Sequence, residues 1–177
     1  MTNQVKIRSH LVNLDDYKLI REINRGGFGV VFLVEDKKTH EQLAAKVHLQ
    51  GSMSDTTTDL FLSREIGILI RVNAPTIIRF SGFSLTDFSN MNNVTMLMDY
   101  KENGSLKQLI EKEERNQAPH EYDNTAKQII LCGICHGMMV LHSRRVIHRD
   151  LKPDNILLDA NYYPCITDFG LSKFLDP

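Results

Sequence analysis

The stretch His148-Arg149-Asp150-Leu151-Lys152-Pro153-Asp154-Asn155, followed by Asp168-Phe169-Gly170, decides how this chain is read. It gathers carboxylates, an amide and an ammonium near the end of the 177-residue sequence. Those groups meet the needs of phosphoryl transfer. One carboxylate orients and deprotonates a hydroxyl, while another carboxylate and the amide hold Mg²⁺ against the phosphates. The competing reading is an unrelated polar loop beside a turn. An eight-residue string with a second motif downstream argues against it.

The rest of the chain bounds the answer. Hydrophobic residues make up 42% and charged residues 24%, an ordinary globular composition. A net charge of −1 gives no basic footprint for nucleic acid or an anionic membrane surface. No apolar run reaches the roughly 18 to 20 residues that cross a bilayer, and residues 1–14 lack the apolar core of a signal peptide. Three cysteines, an odd number, suit a reducing compartment better than a disulfide framework. The cytoplasm is therefore the expected location, with the nucleus as the alternative. Cys132-Gly133-Ile134-Cys135-His136 has the form used to attach c-type haem. Its place inside a long apolar stretch, with no export signal ahead of it, favours core packing instead. No second Cys/His pair stands at zinc-ligand spacing.

Residues 1–16 read as an N-terminal extension. Between 17 and 36, short apolar runs split by Arg25-Gly26-Gly27-Phe28-Gly29 predict two strands joined by a Gly-rich turn. Gln42–Val47 is a third strand candidate. Leu60, Phe61, Ile66, Leu69 and Ile70 recur near helical spacing over 59–72, and Asn73-Ala74-Pro75 stops that helix. Two further apolar stretches, Ile77–Leu85 and Val94–Tyr100, complete a strand-rich half. After the linker-like Lys101-Glu102-Asn103-Gly104, Ser105 caps a helix from about Leu106 to Lys112. Asp123 or Asn124 opens a long helix to about His142, whose low charge reads as burial on most sides. The expected fold is α+β and bilobal. Its N-lobe, 17–101, holds an antiparallel sheet plus one helix, and 102–177 forms a partial helical C-lobe.

The opening motif resembles the catalytic loop and metal-binding motif of eukaryotic-type protein kinases. The likeness runs from about residue 17 to the last residue. Its implications follow position by position. Family members carry G-x-G-x-x-G-x-V over the nucleotide. Here the string is Asn24-Arg25-Gly26-Gly27-Phe28-Gly29-Val30-Val31, with Asn24 in place of the first glycine. Glycines such as Gly26 and Gly29 let backbone N–H groups approach phosphate oxygens, and Phe28 at the tip shields them from water. Lys46 matches the strand lysine on the α- and β-phosphates, with Glu65 as its partner. Met98-Asp99-Tyr100-Lys101 matches the hinge, where adenine meets backbone groups and Met98 stands behind the ring. Val31, Ala44 and Leu157 match positions that sandwich adenine. Asp150 is implied as the base, Lys152 as neutraliser of the transferring phosphate, and Asn155 and Asp168 as Mg²⁺ ligands. His148 and Phe169 are packing elements in the family.

Lys152-Pro153-Asp154-Asn155 resembles the serine/threonine-specific version of the loop. The phrasing over Arg25–Phe32 and Thr167–Lys173 most resembles the tyrosine-kinase-like group. The resemblance thus implies a protein kinase that transfers the γ-phosphate of ATP to Ser or Thr hydroxyls of a protein substrate. The net charge and the short apolar runs give the expectation of no nucleic-acid partner and no membrane segment. Family domains run to roughly 250 residues, and seven residues follow Gly170 here. That length leads to the expectation of a C-terminally truncated domain, weakly active or inactive. The alternative function is a pseudokinase-like module that binds nucleotide or a partner without transferring phosphate.

Overall fold

A computed structural model describes residues 9–26, 29–49 and 64–175. By contact the chain divides into two compact units, 1–63 with 80–100 and 64–79 with 101–177.

The first unit is a five-stranded antiparallel sheet, β1 (Tyr17–Gly26), β2 (Gly29–Asp36), β3 (Gln42–Val47), β4 (Phe80–Ser84) and β5 (Thr95–Asp99), in the order β1-β2-β3-β5-β4. Residues directly opposite one another in a ladder share a face, and successive residues alternate. The register therefore sorts the side chains. Val34, Leu43, Ala45 and Leu97 form a buried cluster on one face, with Val12, Tyr17, Phe32 and Phe88 packed against it. On the other face Asn24 pairs with Val31, Val31 with Lys46, and Ala44 with Met98. Gly29 is obligatory for close approach. A Cβ there would stand 2.0 Å from the Val47 carbonyl oxygen of β3.

The apolar stretch expected over Ile77–Leu85 is divided between the two units. Phe80–Ser84 forms β4. Thr76 O accepts from Ile166 N at 2.9 Å, and Ile78 N donates to Ile166 O at 3.0 Å. Ile77 and Ile78 are both 2% exposed. They are consumed by a second packing layer, which a continuous apolar run does not reveal. Helical residues 64–69 bury Ile66, Ile68 and Leu69, and the earlier part of the expected helix lies outside the described residues.

In the second unit, α1 (Leu106–Glu114) begins with a capping box between Ser105 and Gln108, which satisfies two otherwise orphaned N–H donors. The helix α2 (Asn124–Ser143) is capped by the Asp123 carboxylate on Ala126 N. Next come β6 (Val146–Ile147), β7 (Ile156–Leu158), β8 (Pro164–Ile166) and β9 (Lys173–Phe174). They pair as β6 with β9 and β7 with β8.

The expectation that α2 is buried on most sides is corrected. Ala126, Ile130, Gly137 and Leu141 are its buried line, while Leu131 and Met139 are 63% and 62% exposed. Cys132 and Cys135 are also exposed, so the two thiols of the C-x-x-C-H string lie off the packed side of the helix. The close packing is made by the glycines. A Cβ on Gly133 would meet Pro164 at 2.4 Å, and one on Gly137 would meet Ile166 at 2.7 Å. Low charge along a helix signals apolar surface; it does not say which of that surface is covered.

Candidate functional site

The loop between β6 and β7 is tied to the segment after β8 by its own polar groups. Pro153–Asn155 form a 3₁₀ turn, for which proline's fixed φ is suited. Asn155 N donates to Lys152 O at 2.9 Å, and Thr167 N donates to Asn155 O at 3.0 Å. The Asn155 side chain is 5% exposed and turns its amide nitrogen to Asp150. Nδ2 donates to the Asp150 carbonyl at 2.8 Å and to Oδ2 at 3.0 Å. Lys152 Nζ donates to the same Oδ2 at 2.7 Å. Both side-chain bonds converge on Oδ2, so Oδ1 of Asp150 is the oxygen turned to other work. The Asn155 side-chain oxygen, Oδ1, is likewise left to act as an acceptor or ligand, its backbone carbonyl being taken by Thr167 N.

These contacts set the charge. The Lys152 ammonium, with help from the Asn155 amide, holds the Asp150 carboxyl below the usual carboxylate range against the opposing pull of desolvation. Lys152 is raised by the same pair. The ionised form of Asp150 is therefore favoured above its ordinary titration range, and it is lost as pH falls through the lowered value. Lys152→Met should move the Asp150 titration upward, read from its carboxyl carbon by NMR. An unchanged titration would show that the ammonium does not set it.

His148 is 1% exposed, and its network specifies a tautomer. Nε2 donates to Thr167 O at 2.9 Å, while Nδ1 accepts from Asp150 N at 3.3 Å. With both nitrogens engaged, the ring is a brace, as expected for a packing element. Phe169, fully buried, lies edge-on to it with centroids 5.1 Å apart. Arg149 donates from Nε to Leu171 O. Asp168 and Arg149 hold φ at 64° and 66°, the left-handed region that costs non-glycine residues energy and clusters at functional sites. A Cβ on Gly170 would stand 3.7 Å from Glu65 Oε2 and 3.8 Å from Asp168 Oδ1, so those two carboxylates flank Gly170. Glu65 is 2% exposed.

Asp150, Lys152, Asn155, Asp168 and Glu65 thus all belong to the second unit, as do Lys101 and the half-buried Leu157 of β7. Asn24, Gly26, Gly29, Val31, Ala44, Lys46, Met98 and Asp99 belong to the first. Asn24, Val31, Lys46, Ala44 and Met98 share one face of its sheet by register. Phe28 lies outside the described residues. Ser172 was not anticipated. Fully buried, it donates from Oγ to His148 O at 3.0 Å and from N to Phe169 O at 2.9 Å, clasping the loop to the segment beyond Gly170. A lone serine in a loop carries no sequence signal for that role.

Comparison with known proteins gives matches along most of the chain. Residues 17–177 match a family model described as protein kinase domain. The chain is 33% identical over 162 residues to a probable serine/threonine protein kinase, IRE4, of Arabidopsis thaliana, covering 92% of this chain and 15% of that protein. It is 32% identical over 172 residues to cAMP-dependent protein kinase type 3 of Saccharomyces cerevisiae, covering 97% and 41%. Aurora kinase A-A of Xenopus laevis is 30% identical over 159 residues, covering 90% and 37%. The chain spans well under half the length of each of these relatives.

Proposed function

Since the chain belongs to the protein kinase family, we propose that it transfers the γ-phosphate of ATP to Ser or Thr hydroxyls of a protein substrate. The observation that carries this reading is the convergence of Lys152 and Asn155 on one oxygen of Asp150. That arrangement leaves Oδ1 to accept the substrate hydroxyl's proton and to aim its oxygen. The Lys152 ammonium neutralises charge on the phosphoryl group as it moves. Lys46, on its face of the sheet with Val31, Ala44 and Met98, serves the α- and β-phosphates and the adenine. Glu65 keeps in this reading the part that the resemblance implies for it. Gly26, Gly29 and Asn24 supply backbone to the phosphates. Asp99 and Lys101 supply backbone to the adenine edge, and Leu157 keeps the apolar role that the resemblance implies for it.

Mg²⁺ fits the residues at hand. Asn155 offers its side-chain oxygen and Asp168 its carboxylate, both hard oxygen ligands. No cluster of three or more His, Cys, Asp or Glu side chains suited to a metal occurs among the described residues. That donor set suits an ion that keeps waters and shares substrate phosphates, not one held in an all-protein cage. When bound, the ion offsets phosphate charge.

Assignment to the tyrosine-kinase-like group is part of the same proposal and rests on the wording of 25–32 and 167–173. Placement in the cytoplasm is also part of the proposal and rests on the odd number of cysteines in the sequence. No described helix is long and apolar enough to cross a membrane.

Saturating Mg²⁺-ATP should raise the melting temperature. At a hundredfold excess over Kd the stabilisation is about 2.7 kcal/mol, several degrees for a chain of this size. Lys46→Ala or Asp168→Ala should remove most of the shift. A shift without phosphotransfer would favour the pseudokinase-like module, which Asn24 in place of the first glycine supports. The absence of any shift would overturn both readings.

A further inference from the structure

The family match begins at residue 17, yet residues 10–13 are built into the sheet of the first unit. Val12 N donates to Phe83 O at 2.9 Å, Phe83 N donates to His10 O at 2.9 Å, and Leu11 bridges Phe83 in parallel. β4 is an outer strand, with β5 on its other side. The segment therefore takes up backbone groups that a sheet edge otherwise leaves open.

Side chains fix it in place. Val12 packs against the buried cluster of Val34, Leu43, Ala45 and Leu97, and the His10 ring lies 5.9 Å from that of Phe80. Downstream, Asn13 caps the turn Leu14–Asp16 by accepting from Asp15 N. Lys37 holds the same turn, donating from N to Asp16 O at 2.9 Å and from Nζ to Asp15 O at 2.6 Å.

Gly82 makes the fit selective. A Cβ at that position would stand 2.5 Å from Val12 Cγ1 and 2.8 Å from His10 O. The absence of a side chain on β4 thus creates the seat that a β-branched residue fills.

We infer that the β4 edge is a strand-addition site whose occupant is this chain's own segment 10–13, with Val12 seated on Gly82. The two backbone hydrogen bonds with Phe83 supply the hold and the glycine seat supplies the choice of side chain, as in β-augmentation. A partner able to displace the segment would be an extended peptide with a β-branched residue at the Val12 position.

Residue-resolved hydrogen exchange on the full 177-residue protein tests this. The Val12 and Phe83 amides should exchange at least about a hundredfold more slowly than in an unstructured chain. Gly82→Val should return Val12 to near-unprotected exchange while the β2–β3 ladder stays protected. In a variant lacking residues 1–13, a synthetic peptide of residues 9–16 should restore protection at Phe83, and the same peptide should fail once Gly82→Val is added. An unprotected Val12 amide in the parent protein, or protection unchanged by Gly82→Val, would overturn the assignment. If the deletion variant does not fold, the full-length comparison decides alone.

Discussion

Replacing Asp150 with Asn should cut phosphotransfer by about 10²- to 10⁴-fold, the range for loss of a positioned general base. The substitution is nearly isosteric, and an Asn oxygen can still accept from Lys152 and Asn155, which now meet at Oδ2. Loop geometry should therefore survive while basicity does not. Two readouts separate chemistry from structure. The nucleotide-induced melting shift should stay within a degree or so of the parent, because the proposed nucleotide contacts lie elsewhere. The rate should fall in kcat with little change in the KM for ATP, the signature of an interaction realised in the transition state. A variant that keeps more than about a tenth of the parent rate would remove Asp150 from the role of base.

Why this loop was legible from sequence, when other parts were not, has a physical answer. Asp150, Lys152 and Asn155 lie within six residues of one another, so the chemistry that joins them is local and survives any error in the surrounding fold. Val31, Ala44, Lys46 and Met98 were named through the family resemblance, and strand alternation of period two, with the observed register, is what puts them on one sheet face. Non-local packing was the illegible part. Ile77 and Ile78 read as the start of a strand, and only the approach of β8 draws them away. The outer face of α2 carries Leu131, Cys132, Cys135 and Met139, a composition equally compatible with a core. The role of Ser172 depends on a fold-back of 24 residues to the His148 carbonyl. Residues 10–13 were set aside as an extension, because nothing in their composition announces a partner strand. Gly82 was the one hint, a glycine inside an apolar strand that marks close backbone approach.

Phe169→Ala should produce the largest loss of stability, about 3–5 kcal/mol, the range for truncating a buried aromatic ring. Phe169 is fully buried, and its ring packs edge-on to His148. That pairing adds specific geometry to the area buried. Since total stabilities run near 5–15 kcal/mol, the second unit would be left close to its unfolding threshold at 25 °C. The damage should also be directional. Phe169 O accepts from Ser172 N, and Ser172 Oγ in turn donates to His148 O. Removing the ring loosens the carbonyl that anchors this clasp, so Ser172 amide exchange should accelerate more than that of Thr167. Phe169→Leu keeps most of the apolar volume and should recover the greater part of the loss. Chemical denaturation with both variants measures the pair. If Phe169→Ala costs under about 1 kcal/mol, the site has collapsed around the gap.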